Sequence, residues 1–486
     1  MKRQRISAVD TAWLRMDRPG NLMMICGVLI FGEKIGLVRL REVIAERFLV
    51  FRRFRQRPVE TPAMSFWEAD PGFDLDYHVA HTALPGRAGK RELQALVSRL
   101  ASTPLDPARP RWQFHLVDNY AGASAVVVRI HHCYADGIAL VRVMLSMTDA
   151  TADGPPAMPF QTRQTREHRR ARADDTLSQV MAPLSGVLES ARRIGGLLVD
   201  TGVGIWHDPA KAVELADKGT ALTAEVAKLA LMAQDSPTRF KGRPGVAKRV
   251  AWAQPLPLPE VKAIGKALGS SVNDVLLSCV AGALRDYLAA RGDPVAGVVL
   301  RALVPVNLRP IESAYRLGNQ FGLVFLDLPI GIENPVERLY AVRANMNALK
   351  GSYQPILALG LLAAMGSGPK LLQETLLSIL SRNATAVMTN VPGPQQPLYM
   401  AGARIDNLMF WVPQSGDIGM GVSIISYSDN VQFGVVTDRG LCPDPERVIE
   451  RFRAQFEQLV LATLMSPWPR DSELDPAVAA AAAGVG

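Results

Sequence analysis

"SAVVVRIHHCYADGIALVRVMLSMTD", residues 124–149, sets two histidines at the end of a β-branched run and an Asp-Gly four residues after the second. The Val-Val-Val core of the run favours a strand, and "GIALVRVMLSMTD" carries its apolar residues at helical spacing. The segment therefore reads as strand, loop, helix. Asp136 is a favoured residue type for the helix N-cap, and Asp-Gly is also an ordinary turn pair. Such a loop, at the end of a rigid element, is where binding and catalytic groups are often held. "RWQFHLVDNY" (111–120) reads as the preceding strand, so the two form a hairpin.

Outward from this point the pattern is α/β. Residues 6–17, "ISAVDTAWLRMD", form a helix with Ser7 as cap and Asp10 three residues on. A strand over 22–31, a helix over 37–50 and the helix "KRELQALVSRLAST" (90–103) complete a first domain, 1–150. The character then changes. Residues 151–245 begin as a Pro- and Arg-rich linker and continue over 176–233 as helices, with Arg192 and Arg193 beside an apolar face that ends in Trp206. That face either packs on the protein or lies on a membrane surface. A second α/β domain, 246–466, holds the helix 271–292, strands at 298–308 and 322–330, helices at 335–349 and 355–381, strands within 386–394 and 419–438, and a last helix at 445–464. The tail, 467–486, is expected to fray.

The 486 residues exceed one ordinary core, and with 48% hydrophobic and 21% charged residues the composition is that of a folded globular chain. Cys26, Cys133, Cys279 and Cys442 lie far apart, without the spacing of a zinc site or a disulfide framework, which suits a reducing compartment. No apolar run reaches the ~18–20 residues of a membrane span. The basic start is not followed by a cleavage site, so a cytoplasmic chain is expected. A net charge of +8 favours an acidic partner: nucleic acid, an anionic lipid surface, or the phosphates of coenzyme A. The basic residues do not interleave with aromatics, which disfavours nucleic acid.

A histidine at a strand end can act as a general base, since its ordinary pKa is near neutrality. The same residues equally suit a strand end followed by a helix cap. There is no GxSxG elbow, no phosphate loop, no full GxGxxG and no HExxH, so hydrolase, nucleotide and zinc-protease chemistries lose support and no metal is expected.

"HHCYADG" (131–137) fits HHxxxDG, the signature of the condensation-domain and chloramphenicol-acetyltransferase-like superfamily of acyltransferases. With "ISAVDTAWL", "PRW" (110–112), "KRVAW" (248–252), "VNDVLLS" (272–278), "PVNLRP" (305–310), "GNQFG" (318–322) and "TNVPGP" (389–394) in that order, the chain resembles bacterial wax ester synthase/diacylglycerol acyltransferases over about 6–466. It departs in "PRW", where PLW is usual, and in Thr389, where Ser often precedes the Asn. The resemblance implies two chloramphenicol-acetyltransferase-like α/β domains with the active site at their interface. It implies transfer of a long-chain acyl group from acyl-CoA to a fatty alcohol or diacylglycerol, with acyl-CoA as co-substrate and no cofactor. His132 would be the base, and His131, Asp136 and Gly137 would support the loop. Arg309 would pair with Asp136.

In the second domain, Asn273 and Asp274 are either an N-cap or, for Asn273, a group facing the catalytic histidine. Thr389 and Asn390 are candidates to meet the oxyanion. Cys133 should point away from His132 on an extended chain and is left out. The small residues of "YMAGARI" (399–405) and "LALGLLAAMGSG" (357–368) suit either room for acyl chains or close helix packing. Substrates of this kind live in membranes, so peripheral contact with a membrane face or lipid inclusions is expected. The alternatives are an amine or polyketide hydroxyl acceptor, or a catalytically silent lipid binder.

Overall fold

The computed structural model describes residues 3–61, 64–155, 232–308, 317–350, 354–367 and 381–465, together with 352, 373 and 377. The connector 156–231, Arg309 and the tail from 466 onward lie outside the described residues. The first half supplies strands β1 (Gln4–Arg5), β2 (Met24–Phe31), β3 (Gln56–Glu60), β4 (Ser65–Ala69), β5 (Val79–Thr82), β6 (Trp112–Tyr120) and β7 (Ala123–His131). Its helices are α1 (Ala8–Arg15), α2 (Leu37–Val43), α3 (Leu75–His78), α4 (Lys90–Ala101) and α5 (Gly137–Ser146). The second half supplies β8 (Lys248–Trp252), β9 (Leu256–Pro257), β10 (Leu300–Asn307), β11 (Phe321–Leu328), β12 (Ala386–Pro392), β13 (Tyr399–Met400), β14 (Ala403–Trp411), β15 (Met420–Tyr427) and β16 (Asn430–Asp438). Helices α6 (Leu258–Ala267), α7 (Val272–Ala289), α8 (Pro335–Leu349), α9 (Gln354–Ser367) and α10 (Glu446–Met465) pack with them.

Two mixed sheets carry the molecule. One runs β13-β14-β2-β7-β6-β5, the other β11-β10-β12-β15-β16-β8 with β9 added on β16, and a small sheet β1-β4-β3 stands beside them. β6 and β7 form the expected hairpin, turning at Ala121-Gly122, both with positive φ. β7 is central in its sheet, between β2 and β6, and all but its first residue is buried. Its alternate residues enter different cores: Val126, Val128 and Ile130 face the first half's interior, Ala125 and Val127 the layer shared with Trp252, Trp411 and Val436.

The halves are not separate along the chain. Residues 403–411, of which only 403–405 belong to the small-residue stretch read above, form β14 and pair antiparallel with β2, Met409 opposite Val28. A segment from the second half thus completes the first half's sheet. On the other side α4 closes the edge of β8. The hydroxyls of Ser98 and Ser102 accept the Val250 and Lys248 backbone N–H groups at 2.9 and 2.8 Å. Those edge amides would otherwise lack partners. Trp252 and Trp411 seal the layer between, their rings 5.8 Å apart.

Helix packing accounts for some of the small residues. A Cβ on Gly366 of α9 would sit 1.6 Å from the Ala8 carbonyl of α1, so the two helices meet backbone to backbone there. No single helix among the described residues is long and apolar enough to cross a membrane. The bent pair α6–α7 passes by length and composition, yet α7 has thirteen of its residues, Asp274–Leu284, Tyr287 and Leu288, buried in the second half's core.

Candidate functional site

The strand that ends at His131, with His132 just beyond it, is held from below by a buried cation. Arg129, 3% exposed, donates to the carbonyls of Leu100 (2.9 Å) and Thr103 (2.7 Å) at the end of α4, and to Gln113 Oε1. The last carbonyls of a helix are unpaired within it and electronegative, so they serve a guanidinium that has no carboxylate there.

His131 and His132 follow, and their surroundings differ. His131 Nδ1 accepts the Cys133 backbone N–H at 3.1 Å, which leaves the proton of the neutral ring on Nε2. That nitrogen lies 3.5 Å from Asp17 Oδ2. Burial pushes the His131 pKa down, and Asp17 offsets only part of this. For Asp17, burial acts upward, but the His131 hydrogen bond and charge, the Met23 amide and Arg111 outweigh it and hold the carboxyl below its usual range. His131 is therefore a fixed strut between its own loop and the end of α1.

His132 is 4% exposed and stacked on Trp13, ring centroids 4.2 Å apart, with Phe321 at 5.7 Å. Its backbone N–H donates to Met23 O at 2.7 Å. Its Nδ1 is buried without a hydrogen-bond partner. Burial, reinforced by the neighbouring His131, pushes its pKa down to about 3. The ring is therefore held in its neutral form, with the lone pair of one ring nitrogen unprotonated.

Asp136 caps α5 as the sequence suggests, its Oδ1 accepting the Ala139 N–H at 2.9 Å. Its Oδ2 accepts the Gln320 backbone N–H at 3.0 Å, and its own N–H donates to Gly318 O. One carboxylate thus ties the loop of the first half to "GNQFG" of the second. The next residue in that stretch strengthens the tie. Asn319, 5% exposed, donates through Nδ2 to Asp10 Oδ1 (2.7 Å) and to the His132 carbonyl (2.9 Å), and through its backbone to Asp10 Oδ1 (3.0 Å). Burial keeps the Asp10 carboxyl above its usual pKa despite those bonds and the nearby Arg53. The loop holding both histidines therefore sits where the two halves meet. Gly318, at φ +118°, makes the bend that brings Asn319 in, a conformation L side chains rarely adopt.

The second-half candidates divide. The N-cap of α7 is Ser271, not Asn273 or Asp274. Asp274 is the third helical residue, and its Oδ2 accepts both the Ser271 N–H and hydroxyl to close a capping box. Asn273 Oδ1 accepts from Asn390 Nδ2 at 2.5 Å, so "VNDVLLS" and "TNVPGP" meet. Thr389 is buried and its hydroxyl lies 3.4 Å from that of Ser423. Thr389 and Asn390 alternate across β12, so only one of them can face a given substrate. Among the described residues none of these four hydrogen-bonds to His132. Gly137 opens α5 with nothing within 4 Å of where a Cβ would stand, so space lies open in front of this helix start. The proposed pairing of Asp136 with Arg309 falls outside the described residues.

Trp13, Asp17, Asn319 and Phe321 were not singled out from the sequence, and Asp10 was read only as a first-turn residue of α1. The signal was present in "ISAVDTAWL" and "GNQFG", but no local spacing relates residues some 300 positions apart. The cysteines are buried and free, and burial pushes the Cys133 thiol well up, so it is no activated nucleophile.

Known proteins resemble this chain over most of its length. The family model "wax ester synthase/diacylglycerol acyltransferase catalytic domain" matches residues 6–276, and the corresponding C-terminal domain model matches 317–460. A putative diacylglycerol O-acyltransferase of Mycobacterium bovis is 30% identical over 441 residues, covering 86% of this chain and 82% of its own. A probable diacylglycerol O-acyltransferase of Mycobacterium tuberculosis is 27% identical over 474 residues, covering 94% and 95%. The wax ester synthase/diacylglycerol acyltransferase of Marinobacter aquaeolei superposes with a TM-score of 0.66 at 22% identity, covering 95% of this chain and all of the other. The first condensation domain of a calcium-dependent antibiotic synthetase has the same fold, TM-score 0.57 at 13% identity over 96% and 97% of the two chains.

Proposed function

Since this chain belongs to the wax ester synthase/diacylglycerol acyltransferase family, we propose that His132 is the general base of its acyl transfer and that the groups around it hold it for that task. The enzyme is an acyl-CoA-dependent O-acyltransferase acting on alcohol or diacylglycerol acceptors. The observation that carries the proposal is a neutral, buried imidazole stacked on Trp13 where the halves meet, with Nδ1 sealed, which leaves Nε2 to meet a substrate.

Nε2 takes the proton of the acceptor hydroxyl as its oxygen attacks the thioester carbonyl. A C–O bond forms, the carbonyl pair moves to oxygen, and the tetrahedral species collapses with loss of the C–S bond. The imidazolium then returns its proton to the departing thiolate. A site that depresses the pKa of its histidine makes that imidazolium a strong acid for the last step and the neutral ring a weaker base for the first. Only a proton and an acyl group move, so no cofactor is required. Asp136, with His131, Gly137 and Arg309, supports the loop. Asn390, positioned by Asn273, is one candidate donor to the oxyanion and Thr389 the other. Asp274 serves through the helix cap. Residues 1–150 and 246–466 are the two catalytic halves, joined by 151–245. Acceptors of this kind partition into bilayers, so peripheral contact with the cytoplasmic membrane face or with lipid inclusions follows. Flotation with anionic vesicles tests it, and protein left at the bottom of the gradient argues against it.

The test is coenzyme A release from palmitoyl-CoA with hexadecanol or dipalmitoylglycerol, products identified by mass. His132→Ala is expected to lower acceptor-dependent release ~10²–10⁴-fold. Equal release by both proteins removes His132 from the role. Release with neither acceptor points to an amine, a polyketide hydroxyl or a silent lipid binder.

A further inference from the structure

We infer that Trp13 is a positioning residue for His132, its indole face holding the ring and stabilising the positive charge the ring carries during acyl transfer. The inference rests on His132 being the base. The two rings are stacked, with centroids 4.2 Å apart and planes 22° from parallel. Phe321 closes on both, its centroid 5.7 Å from each. Trp13 is 5% exposed, so little water reaches the contact. Its Nε1–H is buried with no acceptor, and no hydrogen bond of its own explains its place. The helix that carries it is fixed. Ser7 caps α1, Gln373 Nε2 donates to the Ala12 carbonyl at 3.0 Å, and Gly366 lets α9 press against Ala8.

A charge formed on His132 calls for an opposite one, and the carboxylates around the loop are committed elsewhere. Asp17 faces His131 at 3.5 Å, Asp10 accepts the Asn319 N–H groups, and Asp136 accepts those of Ala139 and Gln320. Of the cations, Arg53 donates to the Tyr134 carbonyl and Arg111 lies 3.7 Å from Asp17. Among the described residues no carboxylate pairs with the His132 ring. What the ring faces is the indole. An aromatic face is the negative side of its quadrupole and attracts a cation within about 6 Å of the centroid. A neutral imidazole gains only dispersion from the stack, whereas an imidazolium adds electrostatic attraction that water does not weaken. An interaction that strengthens as the proton arrives raises kcat instead of tightening substrate. Burial weakens the ring as a base, and the indole acts in the opposite sense.

Fluorine on the indole draws charge from the π face with little change of size, so it weakens the attraction and leaves the packing. Wild-type protein made with mono-, di- and trifluorotryptophan is expected to lose kcat stepwise, ~3–10-fold over the series, with KM for palmitoyl-CoA within twofold. A flat series overturns the inference without requiring any Trp13 variant to fold. The same series in Trp13→Phe, which has no indole at 13 to fluorinate, is expected to be flat. A slope that persists there belongs to another of the 7 tryptophans and also overturns it. Trp13→Leu, apolar but without a π face, is expected to lower kcat ~10–30-fold; wild-type kcat in this variant counts against the role. Proton NMR reads the stack itself: the His132 ring signals, assigned with His132→Ala, should lie upfield under the indole ring current. Unshifted signals mean that the stack is absent in solution. If His132→Ala keeps wild-type activity, the base reading fails and the inference fails with it. If His132→Ala is inactive while the wild-type fluorine series is flat, only the role of Trp13 falls.

Discussion

The loop after β7 and the start of α7 carry similar residue types, yet their polar groups are met in opposite ways. At α7, Ser271 and Asp274 satisfy one another, and Asn273 is matched by Asn390. These pairs are local or near the surface, with Asn273 exposed. In the β7 loop, His132 is sealed, stacked on Trp13 and left with Nδ1 unmatched, while carboxylates and an amide arrive from α1 and from residues 318–320. Satisfied polar groups hold a fold together. A buried one left short of a partner needs a reason other than stability.

Substitutions can break or sharpen that contrast. The largest effect is the ~10²–10⁴-fold loss in His132→Ala, which leaves α7 untouched. Asp136→Ala comes next. It removes the cap on Ala139 and strands the Gln320 N–H, for a loss of about 2–4 kcal/mol in chemical denaturation and at least tenfold in kcat. Asp136→Asn keeps one oxygen and is expected to recover part of both. Full activity in Asp136→Ala would show that the loop does not need its tie to the second half.

Acid tests the buried histidine. The unfolded chain binds a proton on His132 near pH 6.5, the folded chain only near 3. The unfolded state therefore holds more protons between these values, and stability present above pH 6.5 is lost as pH falls toward 3. Between pH 7 and pH 5 this group contributes ~2 kcal/mol of that loss. The denaturation midpoint of His132→Ala should fall less over the same interval. An identical fall in both proteins would mean that His132 titrates normally. The smallest effect is expected at α7: Ser271→Ala costs about 1 kcal/mol and leaves kcat/KM within twofold. A catalytic loss there without a stability loss would move α7 to the chemical side of the comparison.

The sequence by itself determined the strand–loop–helix around residues 124–149, the β6–β7 hairpin, the Ser7 and Asp136 caps and the α/β alternation. Each follows from contacts between residues close in the chain, where period and cap chemistry act directly. It also carried the family, through motifs in order. It did not disclose that 403–411 would complete the first half's sheet, because Ala403–Trp411 alternates as any strand does and nothing local names its partner. Nor did it mark β3 and β4, whose pairing is with each other and β1 rather than with the main sheets. For Asn273 and Asp274 it found the helix start but placed the cap two or three residues late.

The surroundings of the two histidines were settled only by tertiary structure. In the sequence they are adjacent and identical, with the same ordinary pKa. Asp17 reaches one, while Trp13, Phe321 and Asn319 close over the other. Both rings are buried, and it is the arrival of partners from α1 and from residues 319–321 that separates a strut from the ring proposed as base; such contacts exist only once the halves have docked.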